Sequence, residues 1–204
     1  MNIRLLAVVS ATMFAMGAGA AQAARPGGYV GLGLGQTKAV DLQNDACSQL
    51  NGFLAPGFSC SVDSSSSSGK LFFGYQFNRY IAAEAAFIDF GRFDGSATGN
   101  LHGSPTQLSF RYEADGFSFD AVGTAPITKD FGLLARAGVF SWGVTDIFDD
   151  RHSGGSVDYG VGLSYEFTPN LGLRAEYVRY LDVGNSETGK TDLDVSSVSL
   201  LFRF

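Results

Sequence analysis

The chain is 204 residues long and carries 14 basic against 20 acidic side chains, a net charge of −6. Phosphate binding needs clustered Lys and Arg, so this balance argues against a nucleic-acid partner. With 27 Gly, 18 Phe and 8 Tyr, the composition suits many close-packed strands with aromatic anchors better than it suits helices.

Residues 1–23 place Arg4 before an apolar run from Leu5 to Ala20 and end on Ala21-Gln22-Ala23. That order is a secretory signal with an A-x-A cleavage site, which predicts a mature chain beginning at Ala24. Residues 24–204 then form one domain of about 180 residues. No second stretch reaches the length of an apolar membrane helix, so a mature chain that crosses a bilayer does so as a closed barrel.

From Gly28, the segment GYVGLGLGQTK alternates Val30, Leu32 and Leu34 with Gly31, Gly33 and Gly35, the period of a strand. Its glycines sit inside that strand with no helix after it, which argues against a nucleotide loop. Residues 39–69 read as a long polar connection holding Cys47, Cys60 and a flexible serine run, Ser64–Ser68. In an exported protein the two cysteines most simply form a disulfide, worth roughly 3 kcal/mol through loop closure. Neither His nor further Cys stands at ligand spacing from them, so no metal and no cofactor is expected.

A second strand, Gly69–Asn78, turns Leu71, Phe73, Tyr75 and Phe77 outward and Lys70, Gly74, Gln76 and Asn78 inward, with Phe72 an inward apolar residue. Asn78-Arg79-Tyr80 turns tightly into a third strand with Ile81, Ala83, Ala85 and Phe87 outward and Glu84 inward. Gly91–Asp115 is a second long polar loop with strand extensions on either side. Strand four, Gly116–Ala125, faces Phe117, Phe119 and Ala121 outward and Ser118, Asp120 and Thr124 inward. After a short turn at Pro126–Asp130, strand five puts Leu133, Ala135, Ala137 and Val139 outside and Arg136, Gly138 and Trp142 inside.

An acidic third loop, Asp146–Gly155, leads to the clearest strand. There Val157, Tyr159, Val161, Leu163, Tyr165 and Phe167 share one face, and Asp158, Gly160, Gly162, Ser164 and Glu166 the other. Thr168-Pro169-Asn170 turns into strand seven, with Leu173, Ala175 and Tyr177 outward and Arg174, Glu176 and Val178 inward. The fourth loop, Asp182–Asp194, precedes the closing strand Ser196–Phe204, where Val198, Leu200, Phe202 and Phe204 share a face opposite Ser197, Ser199 and Arg203.

Eight strands, three short turns and four longer loops predict an all-β fold, an eight-stranded antiparallel up-and-down transmembrane β-barrel. An even count places both termini on the side of the short turns, the periplasmic side of an outer-membrane barrel. A soluble barrel would have to turn its large apolar face inward and show water the face of Gly, Ser and paired charges. Tyr29, Tyr75, Tyr80, Tyr159, Tyr165, Phe167, Tyr177 and Phe204 lie near strand ends or on outward faces, as an interfacial aromatic girdle requires.

Four inward charges, Glu84, Arg136, Arg174 and Glu176, fall within the membrane slab. An unpaired charge there is costly, so they are expected to form a hydrogen-bonded lumen network of both signs, with Asp120, Asp158 and Glu166 joining or rimming it. An eight-stranded barrel fills its interior with side chains, so the reading is a packed polar core without a wide pore.

The segments RYIAAEAAFIDFGRF, APITKDFGLLARAGVFSWGVTD and YEFTPNLGLRAEYVRY, with the closing SLLFRF, resemble the membrane domain of the OmpA-like outer-membrane family. The resemblance covers most of the mature chain and implies a structural or narrow porin-like role in the outer membrane. It implies that Glu84, Arg136 and Arg174 belong to a central salt-bridge network. It also implies that Leu200, Phe202 and Phe204 form the closing signal that outer-membrane assembly machinery and periplasmic chaperones read. Two departures stand out. The chain stops at Phe204 where family members often continue into a peptidoglycan-binding domain, so wall anchoring is not implied. The basic lumen residue that the family can carry on strand four falls here at about Val122, which weakens the case for a switchable ion pair.

Some outer-membrane barrels of this size act on lipid A with a Ser and His on the lipid-facing wall, or with His, Asp and Ser in the loops. Here the only histidines, His102 and His152, lie in predicted loops, and adjacent His152 and Ser153 point apart in extended chain. The chain is therefore read as no enzyme. Its expected partners are outer-membrane lipid and lipopolysaccharide, and it is expected to be a monomer. A recognition or adhesion role for the loops is the alternative, because loops carry such functions without a readable motif.

Overall fold

The computed structural model describes residues 26–40, 59–101, 104–145, 151–184 and 190–204. The signal segment, Cys47 and His102 lie outside them. Nine strands follow one another: β1 (Gly27–Val40), β2 (Ser59–Val62), β3 (Ser65–Asn78), β4 (Ile81–Leu101), β5 (Ser104–Pro126), β6 (Phe131–Thr145), β7 (Arg151–Glu166), β8 (Leu171–Val183) and β9 (Thr191–Arg203). Eight of them, all but β2, form a closed antiparallel barrel, because β1 pairs with β9 as well as β3 while β4 pairs with β5. The closing seam runs from Tyr29 opposite Arg203 to Val40 opposite Asp192. Closure leaves the barrel wall without a free edge, the condition for crossing a bilayer with strands.

Side chains alternate as the period of two demands. Leu34, Phe73, Phe119, Val139 and Val161 stand out from the wall, each more than half exposed. The outward run from Val157 on β7 to Phe167 just past its end covers about 33 Å, and a tilt of about 40° reduces that to about 25 Å, the height of an outer-membrane apolar band. So large an apolar surface is suited to lipid.

The inward glycines have a local reason. The Phe72 ring on β3 lies over Gly31 on β1, and on the same strand pair the Tyr29 ring lies over Gly74. Each ring occupies the space that its partner's missing side chain leaves open. Trp142 covers Gly154 in the same way.

The structure departs from the expected loops at the far end of the barrel. Ser65–Ser68, read as flexible linker, belong to β3 and pair with β1 from Gly35 to Lys38. The long connection of residues 39–69 therefore begins after Val40 and ends before Ser65, and it contains β2, which pairs with β4 from Gly95 to Thr98. Gly91–Asp115 is a strand hairpin, its two arms paired out to Leu101 and Ser104. A bulge at Asp89 to Gly91 bends it, with Gly91 at φ +81° and its N–H donating to Asp89 Oδ1 at 2.8 Å. The third and fourth loops likewise shorten, since β7 starts at Arg151 and β9 at Thr191. These largely polar segments form strands because backbone pairing continues above the membrane, where no continuous lipid-facing apolar face is needed.

Tyr29 is also corrected: it is 1% exposed and faces the lumen rather than the interfacial girdle.

The ring-over-glycine packing predicts that Gly31→Val loses about 1–3 kcal/mol through overpacking against Phe72. Gly69→Ala, whose added carbon meets nothing nearby, should be tolerated. Urea unfolding of the two variants in lipid vesicles distinguishes them.

Candidate functional site

The barrel's interior holds a band of charge at mid-height. Register places it there. Glu84 on β4 lies opposite Asp120 on β5, and Asp120 lies opposite Gly138 on β6, which in turn faces Asp158 on β7. Like charges directly across a strand pair repel. Arg136, one inward position nearer the periplasmic turns, supplies the compensating charge. Its guanidinium bonds Asp120 Oδ2, donates to Glu176 Oε1 at 3.1 Å, and lies 3.5 Å from Glu84 Oε2 and 3.9 Å from Asp158 Oδ1.

Arg174 on β8 closes the other side. It bonds Glu84 Oε1, which also accepts from Tyr29 Oη at 2.7 Å. Glu176 bridges again, accepting from Lys70 Nζ on β3 at 3.2 Å and standing 3.8 Å from Arg174. Ser118 Oγ donates to Asp120 at 2.7 Å. Phe72 lies near two cations, with Lys70 Nζ 4.9 Å and the Arg174 guanidinium 5.3 Å from its ring centre, a further electrostatic attraction.

Three cations thus face four carboxylates, every one of them buried. Charges in such surroundings persist only when paired and hydrogen-bonded, and losing one partner strands the other. Satisfaction is incomplete: both oxygens of Asp158 and the Nε atoms of Arg136 and Arg174 find no hydrogen-bond partner among the described residues.

On the loop side, the rings of Phe90, Phe140 and Tyr180 meet edge to face, with centres 4.8 to 5.4 Å apart. All three are buried. On the turn side, Arg203 bonds Glu166 at the mouth. Phe204 donates its backbone N–H to Gly28 at 3.1 Å, and the residue stays 73% exposed. Phe202 and Leu200 point outward. Above the apolar band, Arg179 donates to both oxygens of Asp194 at 2.6 and 2.7 Å, which holds that carboxyl below its ordinary range. Any stability from this pair is present above the unfolded carboxylate's titration and lost as pH falls through the lower folded one.

The structure brings Glu84, Arg136, Arg174 and Glu176 together, joins Asp120 and Asp158 to them, and leaves Glu166 at the rim. Lys70 and Tyr29 are members that the sequence reading left out of the network. Parity alone marks both as inward. Val122 does face inward, opposite Arg136, but the third cation stands on β3 instead. Cys60 lies in β2, whereas Cys47 is outside the described residues, so the bridge between them stays an expectation.

A closed eight-stranded barrel with lipid-suited walls and a charged interior is an outer-membrane barrel. The model of the OmpA-like transmembrane domain matches residues 24–204, and the chain belongs to that family. Outer membrane protein A of Shigella flexneri is 28% identical over 143 residues, 65% of this chain and 39% of that protein. The same protein from Escherichia coli O157:H7 is 28% identical over 135 residues, 63% of this chain and 36% of that one. The chain thus spans about two fifths of the length of these relatives. In the solved structure of Neisserial surface protein A, the fold recurs at 16% identity with a TM-score of 0.56, covering 87% of this chain and 97% of that one.

Glu84→Gln is expected to cost about 3 kcal/mol, because it removes a buried charge that Arg174 and Arg136 both face. Urea unfolding in lipid vesicles measures the loss.

Proposed function

We propose that this chain is a structural outer-membrane barrel whose salt-bridged lumen is closed to solutes. The observation that carries the reading is the two-layer filling of the lumen, ion pairs at mid-height and the Phe90, Phe140 and Tyr180 rings above them. A solute crossing the barrel would have to part both layers and leave charges uncompensated. The role is structural and involves no catalytic step. Outer-membrane lipid and lipopolysaccharide are its surroundings, one chain is sufficient, and the assembly machinery with periplasmic chaperones reads Leu200, Phe202 and the exposed Phe204.

A second reading, recognition at the cell surface, is favoured by one feature. Strands β2, β4 and β5 continue as a three-stranded sheet beyond the apolar band, with Phe93 and Ala97 buried. Extensions of this kind present surface to partners.

Planar-bilayer recording tests the main reading. No step currents are expected over many insertions, and regular steps would contradict a closed lumen. Deleting Phe204 should lower outer-membrane yield in cells more than it lowers refolding in detergent.

A further inference from the structure

The charges at mid-height do not balance if every carboxyl is ionised. Among the described residues, the buried cations of the lumen are Lys70, Arg136 and Arg174, and the buried carboxyls are Glu84, Asp120, Asp158 and Glu176. One negative charge is left over, in surroundings where an uncompensated charge is costly.

The bonding pattern places that excess on one residue. Glu84 accepts from Tyr29 and Arg174, Glu176 from Lys70 and Arg136, and Asp120 from Ser118 and Arg136. Asp158 is 2% exposed, and neither of its oxygens accepts a bond among the described residues. Arg136 approaches it with Nε alone, at 3.9 Å, too far for a hydrogen bond. Besides Asp120 and Arg136, the titratable groups that face Asp158 are Tyr180, its cross-strand partner on β8, and Lys70 on β3. Three carboxyls thus hold the donors that ionised groups need, and the fourth holds none.

What Asp158 does face is a second acid. Asp120 on β5 and Asp158 on β7 are the two cross-strand neighbours of Gly138 on β6. Gly138 has no side chain, and Asp120 Oδ1 lies over it, where a Cβ would strike it. Across that gap the two carboxyls come within hydrogen-bonding reach of each other. Ser118 and Arg136 both bond Asp120 Oδ2, which leaves Oδ1 free to accept. Two ionised carboxylates offer acceptors only, so they can bond each other only when one carries a proton.

We propose that Asp120 and Asp158 form a proton-binding pair, in which Asp158 is the neutral acid and donates to Asp120 Oδ1. The bound proton leaves three cations against three carboxylates, so the interior is neutral and holds no counter-ion. It also ties β5 to β7 across Gly138, two strands that do not pair directly. This protonation state does not depend on the lumen being closed to solutes.

Infrared spectra of the refolded chain in lipid vesicles at neutral pH test the assignment. Wild type should show the carbonyl stretch of a neutral carboxyl, set apart from the amide and carboxylate bands. Carbon-13 in the side-chain carboxyl of aspartate should lower that band, and the same label in glutamate should leave it in place. Asp158→Asn, whose amide can still donate to Asp120, should remove the band and unfold at the same urea concentration as wild type. Folding is checked by heat-modifiable migration, and Asp158→Ser, also a neutral donor, takes its place if Asp158→Asn fails to fold. Absence of the band from wild type overturns the proton, and a stability that then follows the monovalent cation in the buffer assigns the pair to a metal ion instead. A band that survives the substitution of Asp158 puts the proton on another carboxyl and overturns the pair. So does a loss of stability in Asp158→Asn as large as that in Glu84→Gln. None of these results bears on conductance, so the closed lumen stands or falls separately.

Discussion

Everything in this barrel depends on balancing charge inside a sleeve of lipid. Arg136 sits within reach of Glu84, Asp120, Asp158 and Glu176, and no single pair explains its position. In a low-dielectric interior each of these groups is costly alone, and their attraction offsets that cost only as a set. The set spans β3, β4, β5, β6, β7 and β8. A cluster tied to six strands fixes their relative heights, so it opposes slippage of the register that side-chain alternation alone would permit by steps of two.

The outer face imposes a different and weaker demand. Lipid asks only that outward positions be apolar through the height of the band, and alanine meets it as well as phenylalanine. Hence Ala83, Ala121 and Ala137 lie in one cross-strand row between Tyr75 and Tyr159. Inside, volume is scarce, and the solution is pairing of rings with glycines. Phe72 over Gly31 and Tyr29 over Gly74 fill the lumen beside β1 and bring the Tyr29 hydroxyl to Glu84. Packing and electrostatics therefore meet at the same residues.

This division explains what could be read from the chain alone. Within the membrane, the alternation of lipid-facing and lumen-facing residues makes strand direction and face legible, as in Val157 to Phe167. Above it the pattern is broken, with Ser65–Ser68 polar throughout and the arms of β4 and β5 burying only scattered apolar residues such as Phe93 and Ala97, so both look like loop although their backbones pair. Which charges meet is a matter of register between strands, invisible in any one of them. Lys70 could be placed inside by parity, but its pairing with Glu176, 106 residues away, required the closed barrel. Tyr29 resembled an interfacial residue by its place near a strand end, although its parity with Gly31 and Gly33 marks it as inward, and Gly74 opposite it on β3 leaves its ring room there.

The claim that the lumen is held by mutual compensation is tested most directly by a double-mutant cycle on Lys70 and Glu176. Lys70→Met, Glu176→Gln and the double variant are unfolded by urea in lipid vesicles, with the single tryptophan, buried Trp142, as reporter. Compensation predicts that the double variant loses clearly less stability than the two single losses together, a coupling of about 1–3 kcal/mol. Losses that simply add would contradict it.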